Sequence, residues 1–445
     1  MLRKNDRRVM NGWAFYDWAN SAYNLVITSA IFPIFYELNA VHRSQLVDGK
    51  MKGFVTFFGR EFVNTELYSY VLAASFLVVS LLIPILSGIA DSSGSKKGFM
   101  KFFCYLGSAA CVSLYFFDAD KLELSMISPF IASIGFWGSF VFYNSYLPEI
   151  ATPDRQDRLS AKGYALGYIG SVILLTAIIV AMKTIDAPAG QIPRLGFLAV
   201  GLWWAGFAQI TYSRIPSNVY DRKVKAGERY LFKGYRALQN VWKELVHQKN
   251  LSRFLVAFFV FNMGVQTIMQ LAPLFAASEI DWPLGPDGKK DSSGLIISIL
   301  LIQLVAVVGA IVMSRLAARI GNFWVIRTTL VIWLGVCLIA FFIHTPTEFY
   351  ALAALVGFVM GGIQSMSRST YSKMLPETTE HASYFSFYDV LEKVGLIIGP
   401  FLYGYVTGLF NGNMRPSVLV LASIFVVGFG LMFAVRSEPK SEVAN

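Results

Sequence analysis

Ser87-Gly88-Ile89-Ala90-Asp91-Ser92-Ser93-Gly94 ends one apolar run of this chain, and Ser314-Arg315-Leu316-Ala317-Ala318-Arg319-Ile320-Gly321 ends another. Gly321 follows Gly94 by 227 positions. Outward from that pair the chain repeats itself again. Leu147-Pro148-Glu149 closes one apolar run, and Leu375-Pro376-Glu377 follows another. Phe32-Pro33-Ile34-Phe35 is echoed by Ala272-Pro273-Leu274-Phe275. Each half holds about six apolar segments of the roughly 20 residues a helix needs to cross a bilayer. The pattern predicts an all-α membrane protein, with twelve transmembrane helices in two pseudo-symmetric six-helix halves.

The expected spans are 12–37, 66–90, 98–118, 125–147, 160–183, 194–214, 251–277, 292–313, 323–343, 347–370, 383–409 and 416–436. They make an N-terminal half, 1–214, and a C-terminal half, 251–445, joined by the linker 215–250. In the linker, Leu231, Tyr235, Leu238, Trp242 and Leu245 recur at helical spacing, with Lys233, Arg236 and Lys243 on other faces. An amphipathic helix on an anionic leaflet fits that pattern, and so does a plain connector. The 38–65 stretch is expected to be the longest outer loop.

Composition agrees with a membrane class. Hydrophobic residues make up 55% of the 445 and charged ones 15%, against about a quarter charged in soluble domains. The net charge of +10 is unevenly spread: 27 Lys and Arg fall on the side bearing the termini, ten on the other, and Lys393 inside a span. That excess puts both termini in the cytoplasm and makes the basic balance a topology signal, not a nucleic-acid footprint. Cys104, Cys111 and Cys337 lie in spans with no metal-like spacing and read as packing residues. His42, His247, His344 and His381 are read as widely separated loop residues. With no P-loop, GxSxG or HExxH, the expectation is no enzyme, no cofactor and no metal.

Two similar six-helix halves are a signature of secondary transporters, in which a solute sits between the halves. The loop Gly88-x-x-Asp91-x-x-Gly94-x-Lys96-Lys97 resembles the signature loop of the major facilitator superfamily. Gly94 permits a tight turn. Asp91 can sit at another helix N-terminus, where the dipole favours an anion, while Lys96 and Lys97 are expected at the cytoplasmic surface. Such contacts would hold a gate shut in one state. The other reading is an ordinary basic turn. The second copy carries Arg315, Arg319 and Gly321 but has Ala318 in the place of Asp91, so the two loops cannot be electrostatically equivalent.

The first span is too polar for a lipid-facing helix. Asp17, Asn20, Asn24 and Thr28 share one face, with Tyr23 beside them. A charge at membrane depth needs a cavity or a partner. Either Asp17 lines a cavity or it pairs structurally. Trp13-Ala14-x-Tyr16-Asp17-Trp18-Ala19-Asn20-Ser21-Ala22 resembles the opening signature of the vacuole-effluxer-like family, a branch of that superfamily. Leu147-Pro148-Glu149-Ile150, Ser160-x-x-Gly163-x-x-x-Gly167-Tyr168-x-Gly170, Gly361-Gly362-x-Gln364-x-x-Ser367-Arg368-Ser369, and Lys393 followed by Gly399-Pro400 agree with it. The chain departs from the pattern at Glu392, where a small residue is usual before the lysine. Fungal members are regarded as vacuolar amino-acid effluxers. The short termini resemble a bacterial member, which implies an inner (plasma) membrane.

By that resemblance the first, fourth, seventh and tenth spans line the cavity. The candidates are Asp17, Asn20, Tyr23 and Asn24; Tyr143 and Asn144; Asn262, Gln266 and Gln270; and Gln364 and Arg368. Amides and hydroxyls can bind a zwitterion, and Arg368 can grip a carboxylate or anchor a helix end. Amides can also merely bridge helices. Asp17, Asp389, Glu392 and Lys393 are candidates for proton coupling, or for a neutral structural pair. The sequence therefore reads as a monomeric secondary transporter of an amino acid or other small polar solute. A lipid flippase and a non-transporting sensor are the rivals.

Overall fold

A computed structural model describes residues 3–41, 43–47, 50–217, 219–220, 230–283, 293–410 and 412–436. Asp6 starts α1 (Arg7–Ala22) by accepting the amides of Arg8 and Val9, as an N-cap carboxylate should. The helix then widens into a π segment, Tyr23–Ala30, and resumes as α2, Ile31–Ala40. The expected single span is thus continuous but irregular. Pro33 explains it: with no N–H, it cannot pair with the carbonyl four residues back, and its ring crowds that carbonyl. In the widened turn the Ile31 amide reaches the Val26 carbonyl five residues back, and the Ser29 hydroxyl donates to the Asn24 carbonyl at 3.0 Å.

The 38–65 stretch is more than a loop. It holds an antiparallel meander of β1 (Arg43–Val47), β2 (Lys50–Phe57) and β3 (Arg60–Val63), with Arg43 opposite Phe54 and Phe57 opposite Arg60. The helices that follow are α3 (Asn64–Ser93), α4 (Lys96–Ser113), a short α5 (Leu122–Ser125), α6 (Ile127–Ser145), a one-turn α7 (Leu147–Ile150), α8 (Pro153–Thr184) and α9 (Gln191–Tyr212). The linker carries α10 (Tyr230–His247). Beyond it come α11 (Lys249–Glu279), α12 (Ser293–Ile320), α13 (Asn322–Phe342), α14 (Pro346–Met374), α15 (His381–Leu409) and α16 (Arg415–Ala434). Eleven of the described helices are long and apolar enough to span a membrane, and α1 to α2 supplies the expected twelfth.

The chain divides into two compact units. One comprises Met1–Leu238 with Thr378–Ile397, and the other Gln239–Glu377 with Ile398–Asn445. The division cuts α15, so its first half packs with the N-terminal helices.

In the first unit α1 packs on α8 and α9, and α4 on α6 and α9. Gly107 and Gly135 set the α4–α6 contact: a Cβ on Gly135 would land on the Gly107 backbone. Small residues let helices approach where lipid offers no hydrophobic drive. The Ser75 hydroxyl donates to that of Ser133 at 2.6 Å, tying α3 to α6. In the second unit α12 packs on α14, and α16 on α11 and α13. Trp333 stacks on Phe425 at 5.6 Å. Arg415 binds the start of α16 to α11 and α13, pairing with Glu279 at 3.1 Å and donating to the Phe341 carbonyl at 2.7 Å. Outward-facing apolar side chains such as Leu81, Phe342 and Phe401 are 64%, 71% and 71% exposed. A bilayer covers such a surface; water would not tolerate it.

On α10, Val241 and Leu245 are buried, while Tyr235, Trp242 and Val246 are exposed. The side chains of Leu231 and Lys233, which the sequence places on this helix, lie outside the described residues.

Candidate functional site

Polar side chains of the first unit gather in three places. At the end nearest the N-terminus, Gly94 closes α3 in the left-handed region, φ 68°, with its amide on the Ala90 carbonyl. That turn points α4 back beside α3 and sets Asp91 against the first turn of α15. Asp91 accepts the amide of Ala382 at 3.2 Å and the amide and hydroxyl of Ser383 at 2.7 and 2.8 Å. An anion at a helix N-terminus satisfies otherwise orphaned donors and the dipole together.

Lys96 corrects the expectation of a surface residue. It is 5% exposed, 2.9 Å from Asp91, and also bonded to Glu149 of α7. Two carboxylates draw it in, where a lone ammonium would stay in water. Lys97 is partly exposed and donates to the Ile215 carbonyl at 3.0 Å. His381 is a further correction. It is no loop residue but opens α15, buried, with Nδ1 3.1 Å from Glu149 and 3.1 Å from the Tyr220 hydroxyl. Glu149 and His381 are the residues that sequence reasoning misses here. In the sequence Glu149 stands out only as a repeat marker.

Gly88 is buried beside Asp91, whereas Arg315, Arg319 and Gly321 at the end of α12 are exposed. The two repeated loops therefore have different surroundings.

The second place is around Asp17 on α1. Asp17 is 1% exposed and accepts the Tyr143 hydroxyl at 2.8 Å. Trp13 stacks on the Tyr143 ring at 4.4 Å and donates its indole N–H to the Tyr143 carbonyl at 2.8 Å. Tyr23 lies 5.0 Å from Phe136 and 5.8 Å from Trp204. Asn20 and Asn144 are buried, and Asn24 is partly exposed. Among the described residues the Asn20 side-chain NH2 and the Tyr16 hydroxyl have no partner. Buried donors rarely stay unused without water or a ligand to take them.

The third is Lys393, fully buried within α15. It bonds to Asp389 one turn back and lies 3.5 Å from Glu392. Its ammonium sits 3.6 Å from the centre of the Trp137 ring on α6. This contact too is not legible from sequence.

In the second unit, Asn262 and Gln266 on α11 are buried and Gln270 is exposed. The Asn262 side-chain NH2 has no partner among the described residues. Gln364 on α14 donates to the Met269 sulfur at 3.2 Å, and Arg368 is 1% exposed. Each unit thus buries an asparagine with donors to spare. Among the described residues no group of His, Cys, Asp and Glu could hold a metal.

Relatives place this architecture. An uncharacterized MFS-type transporter of Bacillus subtilis, YxiO, is 31% identical over 100% of this chain and 98% of its own length. Autophagy-related protein 22-1 of Penicillium rubens is 25% identical, over 97% of this chain and 90% of its own. Two solved structures share the fold at low identity. A variant of the E. coli fucose:proton symporter FucP aligns at TM-score 0.67 and 15% identity over 97% of this chain and 98% of its own. The human organic anion transporter MFSD10 aligns at 0.70 and 12% over 97% and 100%. The profile described as Vacuole effluxer Atg22 like matches residues 5–444. The chain is a multi-pass membrane protein of the major facilitator fold and belongs to the Atg22-like vacuole effluxer family.

Proposed function

We propose that this protein is a secondary transporter of a small zwitterionic solute, an amino acid or close relative. The observation that carries the reading is the buried amide with unused donors in each unit, Asn20 in one and Asn262 in the other. An amide N–H can grip a solute carboxylate without leaving a fixed charge unpaired when the solute departs. The family resemblance to vacuolar effluxers supports the same class.

In this reading Asp91 and the N-terminus of α15 form a latch that is made in one state and broken in the other. A ligand drives such a change only through unequal affinity for the two states. Asp17, Asp389, Glu392 and Lys393 are the candidates for coupling to protons, and the termini lie in the cytoplasm by the distribution of Lys and Arg. A thermal-shift screen of amino acids, sugars, nucleosides and lipids tests the class, since a bound ligand stabilises the fold in proportion to occupancy. Stabilisation by sugars or nucleosides alone would reject it. Uptake into proteoliposomes with and without an imposed pH gradient tests coupling; equal rates would remove it.

One observation favours a second reading, movement of lipid. The second unit holds an apolar pocket lined by residues including Ile268, Leu271, Phe275, Val336, Phe349 and Leu421. Its hydrocarbon walls suit an acyl chain. Fluorescent lysolipid transfer in liposomes separates the two readings.

A further inference from the structure

The Lys393 ion pair is hard to explain as a structural tie. Asp389, Glu392 and Lys393 all lie on α15, and a pair within one helix holds no second helix in place. Such a pair is worth only ~0.5 kcal/mol on an isolated helix, while taking two charges out of water costs several kcal/mol. Among the described residues, the Lys393 ammonium reaches beyond α15 to the face of Trp137, at 3.6 Å from the ring centre. Phe136 lies 4.9 Å from Trp137 and Phe140 6.1 Å, so the ring belongs to an aromatic wall on α6. Asp389 is 3% exposed, and its second carboxylate oxygen has no partner among the described residues. Trp137 and Glu392 are partly exposed, so the pair lies just beneath an accessible edge.

A carboxylate and an aromatic face that meet the same ammonium form the arrangement that binds an organic ammonium. Here the ammonium present is the protein's own. We infer that Asp389 and Trp137 form an ammonium subsite whose resting occupant is the Lys393 side chain, and that the protonated amine of a transported solute takes its place. Lys393 is then a tethered competitor: it keeps Asp389 neutralised when no solute is bound and withdraws when one arrives. The transported amine rests on the amino-acid reading above, but the subsite itself can be tested without it.

Lys393→Ala removes a propylammonium-sized piece and leaves Asp389 and Trp137 in place. The variant and the native chain are melted in nanodiscs in propylammonium chloride, in potassium chloride of equal ionic strength, and in potassium chloride with 1-propanol. Propylammonium is expected to raise the melting temperature of Lys393→Ala by about 2 °C or more over both controls at saturating concentration. The native chain, its site filled, is expected to show no such rise. Trp137→Leu in the Lys393→Ala background is expected to weaken the rescue about tenfold. If Lys393→Ala folds poorly, its yield of monodisperse protein becomes the readout, and propylammonium should restore it where potassium does not. Equal behaviour in the three media, or the same rise in the native chain, would overturn the subsite. Exchange of leucine, glutamine, tyrosine and lysine by the native chain is measured alongside. Rescue without exchange of any of the four sinks the amino-acid reading and keeps the subsite; exchange without rescue does the reverse.

Discussion

Asp91→Asn is the substitution whose effect the geometry fixes most tightly. The carboxylate accepts three hydrogen bonds from the first turn of α15 and faces the Lys96 ammonium at 2.9 Å. An amide of the same shape keeps one oxygen, so whichever way it turns its NH2 meets the backbone N–H of Ala382 or of Ser383, donor against donor. Lys96 keeps Glu149, so no ammonium is orphaned. Hydrogen bonds to a charged group contribute about 1.5–3 kcal/mol each, and a buried anion at a helix N-terminus up to about 2 kcal/mol. These terms overlap, and a loss of roughly 2–4 kcal/mol in the docking of α15 follows, a 30- to 1000-fold shift. Hydrogen exchange of the backbone amides in 381–388, measured in nanodiscs, reads that docking directly. Asp91→Asn is expected to speed exchange there by at least about 30-fold. Lys97→Ala, which among the described residues gives up a hydrogen bond to the Ile215 carbonyl and nothing on α15, should change it less than about threefold. Unchanged exchange in Asp91→Asn would show that the carboxylate does not hold the helix.

Further outcomes follow from other contacts. Arg415→Lys keeps the charge but loses the fork that reaches Glu279 and the Phe341 carbonyl, so melting in nanodiscs should fall by about 2 kcal/mol, nearly as far as for Arg415→Met. A lysine that fully preserves stability would show the pairing to be a plain point charge. Gly107→Val, whose Cβ would strike the buried Trp204 ring of α9 and press on the Gly135 backbone of α6, should cost about 2–4 kcal/mol or prevent recovery of folded protein. Wild-type melting would mean the helices are less close than described. Tyr143→Phe removes the hydroxyl donated to the buried Asp17 carboxylate, so it should cost about 1–3 kcal/mol of stability and lower kcat/KM for solute exchange about tenfold. A lower melting temperature with exchange intact would make Asp17 a packing residue only.

Hydropathy locates the spans well because lipid makes the requirement uniform: an apolar helix of sufficient length is the solution available to each segment. Boundaries such as Asn322–Phe342, against an expected 323–343, follow directly. The irregular stretch Tyr23–Ala30 is not legible, because a π segment preserves the apolar pattern while changing the backbone bonds. The strands between Arg43 and Val63 lie in a stretch whose apolar runs, such as Phe54-Val55-Thr56-Phe57, are too short to span a bilayer and so read as loop. At the polar clusters, sequence supplies one partner and not the other. Asp91 stands out in its loop, but Ala382 and Ser383, about 290 positions away, carry no local mark. Lys96 reads as a surface residue because the two acids that bury it arrive from α3 and α7. Lys393 is marked by its depth in a span, whereas its ring partner Trp137 is one aromatic among many. Long-range partners of charged groups are what one sequence conceals.

The central claim is that a small zwitterion crosses the membrane on this chain. Counterflow tests it most directly: proteoliposomes loaded with unlabelled amino acids, then given a trace of labelled leucine, glutamine, tyrosine or lysine. The expected result is accumulation of at least one label above its passive level, lost when Asn20 and Asn262 are both changed to alanine. No accumulation of any label by folded protein, in vesicles that do move lysolipid, would contradict it.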